Sequence, residues 1–139
     1  MDATLLQDQL ACSNLIARWY HCLDERQYQE ITELVAPDAV WFVGGKQAKG
    51  PAEILAALNL RDPTAKTAHV LTNLVIDLGA DGTGVAMSYV QVFKPAPASP
   101  DAKGNPSPTI HNFLRCKDQL RKVDGQWKIA VKKSTAPLA

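Results

Sequence analysis

Residues Thr67 to Leu78 read TAHVLTNLVIDL, and this stretch constrains the chain more than any other. Val70, Leu71, Leu74, Val75, Ile76 and Leu78 make it apolar on both faces, as in a central strand covered on either side. His69 and Asn73 interrupt that pattern. Being four residues apart, they leave the same face of a regular strand. A buried imidazole and a buried amide each cost free energy unless a polar partner or an aqueous pocket receives them. The sequence around the stretch must therefore supply one or the other.

Upstream, residues from about Thr4 to Leu23 carry Leu5, Leu6, Leu10, Leu15, Ile16, Trp19, Tyr20 and Leu23. The later members follow three/four spacing and predict an amphipathic helix with one buried stripe. Asp24 extends that stripe, four residues after Tyr20. A second helix is expected from Glu25 to Val35, with Asp24 and Gln27 fitting a capping box at its start. Ala36-Pro37-Asp38 turns the chain, and Val40-Trp41-Phe42-Val43 reads as a short strand closed by Gly44-Gly45. Gly50-Pro51 opens a third helix to about Leu60, stopped by Arg61-Asp62-Pro63.

After the central strand come a turn at residues 79–82 and a strand from Val85 to Phe93. Residues 94–109, KPAPASPDAKGNPSPT, hold five of the nine prolines and read as a long mobile hairpin loop without regular structure. Ile110 to Val123 returns as a strand, Asp124-Gly125 makes a tight turn, and Trp127 to Val131 is the last strand. Helices first and an antiparallel meander afterwards specify an α+β domain with its helices packed on one face of the sheet.

At 139 residues the chain makes one domain, 1–139, large enough for a real core. A net charge of +1 gives no reason to expect nucleic acid or an anionic membrane as partner. No apolar run approaches the roughly 20 residues that span a bilayer. The opening MDATLLQDQLACSNL lacks a basic leader and a long apolar core, so no signal peptide is expected. Three scattered cysteines (Cys12, Cys22, Cys116), with no CxxC pair, fit reduced thiols in a cytoplasm rather than a disulfide frame or a zinc site. A Rossmann glycine pattern, a P-loop and a GxSxG elbow are all missing from the sequence.

The segments IARWYHCLDERQYQEITELVAPDAVWFV, GPAEI, TAHVLTNLVIDL and VDGQWKI resemble the SnoaL-like branch of the nuclear-transport-factor-2-like superfamily. The resemblance implies a cone, in which a strongly curved antiparallel sheet wraps about three N-terminal helices and leaves an internal pocket. That scaffold hosts dehydratases, isomerases, cyclases, dehydrochlorinases and plain binding proteins, so it does not by itself specify a function. Scytalone dehydratase, hexachlorocyclohexane dehydrochlorinase and bile-acid 7α-dehydratase share an aspartate after the first helix and a histidine on the central strand. Asp24 in LDER and His69 in TAHVLTN stand at the matching places. The implied chemistry is proton abstraction followed by loss of water or halide, with no cofactor. An imidazole suits it because its ordinary pKa lies near neutrality.

The match is incomplete. Ala17-Arg18-Trp19-Tyr20 stands where the dehydrochlorinase has a lysine, and Met87-Ser88-Tyr89 where the dehydratase has a second histidine. Tyr20 and Tyr89 become candidates for polarising a substrate, with Asn73 and Trp41 as further binding residues. Each residue also has a structural reading: His69 satisfied by one hydrogen bond, Asp24 as a helix cap, Tyr20 and Trp19 as core aromatics. Cys116 could line the pocket or be an inert buried thiol, and His111 is expected at a strand edge. Arg121-Lys122 and Lys132-Lys133 read as solvated strand ends. The expectation is a cofactor-independent lyase or isomerase acting on a small, mostly apolar, oxygenated ring compound. The competing class is a non-catalytic cone that binds a hydrophobic ligand or joins a larger assembly. A two-fold homodimer through the outer sheet face is expected in either case, because strands 85–93 and 110–123 carry more apolar residues than one concave core needs.

Overall fold

A computed structural model describes residues 2–138, apart from the side chains of residues 97–99. Helix α1 (Ala3–Asp24) starts at Asp2, whose carboxylate accepts from the Leu5 backbone N–H at 2.8 Å. It ends where Arg26 turns left-handed at φ 57° and Gln27 N–H bonds Cys22 C=O at 2.8 Å, a Schellman closure. Helix α2 (Tyr28–Ile31) is a single turn, continued as a 3₁₀ turn at Thr32–Leu34. Six strands and a third helix follow: β1 (Val35–Val43), β2 (Lys46–Lys49), α3 (Gly50–Asn59), β3 (Ala68–Leu78), β4 (Thr83–Pro100), β5 (Pro106–Val123) and β6 (Gln126–Thr135).

The strands form one open sheet in the order β2-β1-β6-β5-β4-β3. All neighbours are antiparallel except β1 and β6, which run parallel, so the sheet is mixed where an antiparallel one was expected. β2 was not anticipated. Gly44 and Gly45 both have positive φ, 56° and 76°, and join it to β1 in a two-residue hairpin of the kind that glycine, asparagine and aspartate favour. Asp124-Gly125 makes the expected turn in the same way, at 51° and 79°.

α1 lies against β3 and β6, and α3 against β1. The buried stripe of α1 (Cys12, Leu15, Ile16, Trp19, Tyr20, Leu23) meets Ala86, Val90, Cys116, Leu120, Trp127 and Ile129 from the concave side of the sheet. Each large apolar side chain so buried contributes about 1.5–3 kcal/mol. Ile54 and Leu58 carry α3 onto the same core. Among the described residues, no helix is long and apolar enough to cross a membrane.

Two register shifts decide which residues face that core. On β3, Thr72 pairs with Tyr89 but Val75 pairs with Met87, so one extra residue is accommodated at Asn73, whose φ is 52°. The inward residues are therefore His69 and Leu71 before the bulge, and Leu74, Ile76 and Leu78 after it. On β6, Ile129 pairs with Leu120 but Val131 pairs with Gln119, which leaves Ala130 extra. Inward positions accordingly pass from Trp127 and Ile129 to Lys132.

Residues 94–109 are not an irregular loop. β4 and β5 continue through them as a two-stranded arm, pairing Lys94 with Thr109, Pro95 with Pro108, Ala96 with Ser107 and Pro100 with Pro106. In an antiparallel ladder only alternate residues aim their N–H at the partner, so Pro95 opposite Pro108 removes no ladder bond. The Asp101 carboxylate closes the tip by accepting from the Lys103 and Asn105 backbone N–H groups at 2.8 and 2.9 Å. Residues 100–106 are exposed throughout. Replacing residues 97–106 by an Asn-Gly turn should change stability by no more than about 0.5 kcal/mol in thermal unfolding. A loss several times larger would mean that the arm braces the sheet.

Candidate active site

The C-terminal end of α1 meets the start of β3 at Asp24 and His69. Asp24 Oδ1 lies 2.5 Å from His69 Nδ1, and Oδ2 accepts from the His69 backbone N–H at 2.8 Å. Thr67 Oγ1 donates to Asp24 Oδ1 at 3.0 Å. The carboxylate thus serves β3 and does not cap α2, where Gln27 is the N-cap residue and makes no side-chain capping bond. An ionised carboxylate only accepts, so Nδ1 carries a proton in this pair. His69 Nε2 makes no hydrogen bond among the described residues and is not among the buried unpaired atoms. The two side chains are 9% (His69) and 18% (Asp24) exposed.

The Tyr20 ring stacks on the imidazole, with centroids 5.5 Å apart and planes at 27°. Its hydroxyl reaches a buried polar cluster that the sequence did not reveal. Lys132 Nζ donates to Tyr20 Oη at 3.0 Å and to Asp118 Oδ2 at 2.9 Å, and it lies over the Tyr20 and Trp19 rings at 4.6 and 5.1 Å. Lys132 is 5% and Asp118 0% exposed, and Asp118 Oδ1 has no partner among the described residues. Burial alone would push the Lys132 ammonium down, but the Asp118 carboxylate and the Tyr20 hydroxyl hold it above its ordinary value. Burial raises the Tyr20 phenol, against the opposing pull of Lys132. Because the ammonium can only donate, the phenol oxygen accepts from it and the phenol proton is left for Cys116 Sγ, 3.3 Å away. A thiol is a weak acceptor, and an oxygen would take that proton more strongly.

Lys132 is therefore no solvated strand end. Asp118 faces Lys132 directly across β5 and β6, and an aspartate-lysine pair on neighbouring inward positions is the signal that strand register would have exposed. Trp41 packs edge-on against Trp19, with centroids 5.3 Å apart, and so joins the interior. Asn73 and Tyr89 do not. Both line a depression of 390 Å³ on the outer face of the sheet, with Val75, Met87 and Arg115, where Tyr89 meets the Phe113 ring at 5.5 Å. The bulge turns Asn73 out, and Tyr89 lies between the inward residues Ser88 and Val90. His111 is exposed on β5, and Cys116 is buried with its thiol raised by that burial. Five surface depressions of 320 to 530 Å³ are lined by other residues than Asp24, His69 and Tyr20. One of 320 Å³ runs past Thr67 and Ala68, immediately before His69, to Phe93 and Pro95 at the base of the arm.

A curled but unclosed sheet clasping a long first helix has the NTF2-like, cystatin-like fold. The chain belongs to the SnoaL-like domain family, whose profile matches residues 4–133. Its fold is shared with an NTF2-like protein of cystatin-like fold from Novosphingobium aromaticivorans, at TM-score 0.80 and 22% identity over 96% of this chain and 84% of that one. A putative scytalone dehydratase from the same organism aligns at TM-score 0.77 and 21% identity, covering 96% and 87%. ActVI-ORFA from Streptomyces coelicolor aligns at 0.76 and 19%, covering 94% and 98%. No curated protein matches the chain.

Proposed function

We propose that this protein is a cofactor-independent lyase or isomerase that takes a proton from a small, mostly apolar, oxygenated ring compound. His69 Nε2 is the base and Asp24 its orienting partner. The observation that carries the reading is the 2.5 Å contact between Asp24 and Nδ1, with Nε2 unpartnered among the described residues. A carboxylate on the far nitrogen fixes the tautomer and stabilises the imidazolium that forms when Nε2 takes the proton. Tyr20, stacked on that imidazole, offers its phenol proton to a substrate oxygen on which charge develops. Trp41 packs its apolar surface against Trp19, whereas Asn73 and Tyr89 serve the outer face. The likeness to a putative scytalone dehydratase supports dehydration or a related elimination over other chemistry on this fold. Hydroxylated and keto polycyclic compounds are the set to screen, with His69→Ala as the control. Turnover by the parent and none by the variant supports the reading, and equal turnover by both overturns it.

A second reading has its own observation. The mostly apolar depression of 320 Å³ lined by Ala68, Phe93, Pro95, Pro106 and Pro108 lies beside the dyad without including His69, which favours a cone that binds a hydrophobic ligand without transforming it. Saturable binding of the screened compounds with no product would establish that alternative.

In either case we place the protein in the cytoplasm as a two-fold homodimer. Three buried free cysteines suit a reducing compartment. Val70, Val75, Met87 and Phe113 leave the outer sheet face partly apolar, and a second copy would cover it. Sedimentation at micromolar concentration should give twice the chain mass, and Val75→Lys should shift it to monomer. A monomer in both would exclude the dimer.

A further inference from the structure

The loop of residues 60–67, between α3 and β3, ends at the dyad, and its hydrogen bonds have a fixed direction. Arg61 Nη2 lies 3.3 Å from Thr67 Oγ1, which lies 3.0 Å from Asp24 Oδ1. A guanidinium only donates and an ionised carboxylate only accepts. The hydroxyl between them must accept from Arg61 and donate to Asp24. The donor chain therefore runs one way, from Arg61 through Thr67 to Asp24. It meets the donation from His69 Nδ1 at the same oxygen.

Three donors hold the Asp24 carboxylate, and two of them belong to His69 itself: the ring Nδ1 and the backbone N–H. The backbone N–H is fixed on β3 and anchors Oδ2, but the ring Nδ1–H on Oδ1 turns with the imidazole it has to hold. Thr67 is the donor on Oδ1 that does not move with the imidazole. Its own orientation is secured by Arg61, whose Nη1 donates to Leu23 C=O at 3.0 Å and to Tyr28 Oη at 2.7 Å. One arginine thus grips both the carbonyl just before Asp24 and the hydroxyl that aims the Asp24 side chain. Arg26 closes the far side of the loop, donating to the carbonyls of Asp62 and Ala65 and, at 3.2 Å, to Tyr28 Oη.

We propose that Arg61 and Thr67 are positioning residues of the dyad, locking the Asp24 carboxylate in the orientation that keeps His69 protonated at Nδ1 and leaves Nε2 free. The consequence for turnover rests on the catalytic reading above, but the consequence for the histidine tautomer does not. Tyr28 separates positioning from simple bracing. Its hydroxyl holds both arginines yet touches neither Thr67 nor Asp24.

The test is the tautomer of His69, read from ring ¹⁵N shifts of the free protein, since a purely structural role for Thr67 would leave it unmoved. The parent should show the Nδ1–H form. Thr67→Val should lower the ratio of Nδ1–H to Nε2–H forms about tenfold, the worth of roughly one hydrogen bond. Arg61→Met should act in the same direction, and Thr67→Ser should restore the parent ratio. Tyr28→Phe should lower the melting temperature while leaving the ratio unchanged. A ratio within twofold of the parent in a folded Thr67→Val protein would overturn the proposal, even if His69→Ala abolishes turnover. A tenfold fall would support it even if no compound is ever turned over, in which case the lyase reading is the one that fails.

Discussion

Lys132→Met is expected to lower the free energy of unfolding by about 3–5 kcal/mol, because it strands the fully buried Asp118 carboxylate without a counter-charge. Asp118 Oδ1 already lacks a partner, so the variant would leave both oxygens unpaired in the interior. The double replacement Asp118→Leu with Lys132→Met removes both charges and should return to within about 2 kcal/mol of the parent. Urea unfolding of the three proteins checks this, and a single variant that loses less than about 1 kcal/mol would contradict it.

That cluster and the separate buried thiol of Cys12 give a pH dependence of definite sign. Folding holds protons more tightly on Lys132, on Tyr20 and on Cys12, whose thiol is pushed by burial from 9.0 to about 12. The folded chain therefore binds more protons than the unfolded chain once the pH passes about 9. Lys132, raised above its ordinary 10.5, contributes stability that is intact below that pH and lost as the pH climbs through its folded value. Stability should decline from about pH 9 upward, and the Lys132 share of that decline should disappear in the double variant.

On a proven substrate, His69→Ala should reduce turnover by roughly 100- to 10,000-fold, the usual contribution of a positioned base. Asp24→Asn tests the dyad more sharply. The carboxylate accepts on both oxygens, from the His69 backbone N–H on one and from Thr67 and Nδ1 on the other. An amide must turn its NH₂ toward one of these groups. Facing the backbone N–H, it sets donor against donor. Facing Nδ1, it forces the proton to Nε2, where it blocks the base. Either outcome should cut the rate by at least tenfold while substrate still binds. Unchanged turnover would leave His69 without a carboxylate-dependent mechanism.

The Asp24–His69 pair was legible because helix period and strand stretch are local patterns, and the family resemblance placed their ends together. The proline-rich arm was misread for a physical reason. Proline denies one N–H, but a ladder needs only alternate ones, and composition does not say which side of the strand is paired. Strand register misled in the same way on β3 and β6. Strict alternation put Asn73 inside with His69, and a last strand ended at Val131 left Lys132 as a solvated strand end. One extra residue in each strand reverses those assignments.

The sequence by itself determined the α+β class, the long first helix, the two-residue turn at Asp124-Gly125 and the candidacy of Asp24 and His69. These follow from periodicity, turn chemistry and family pattern, all carried by neighbours along the chain. Tertiary structure alone decided that β1 runs parallel to β6, that Lys132 and Asp118 form a buried pair beneath Tyr20, and that Asn73 and Tyr89 face outward. Each of these depends on which residue lies opposite which across a sheet. A single bulge shifts that pairing by one position, and the side chains beyond it exchange the core for solvent.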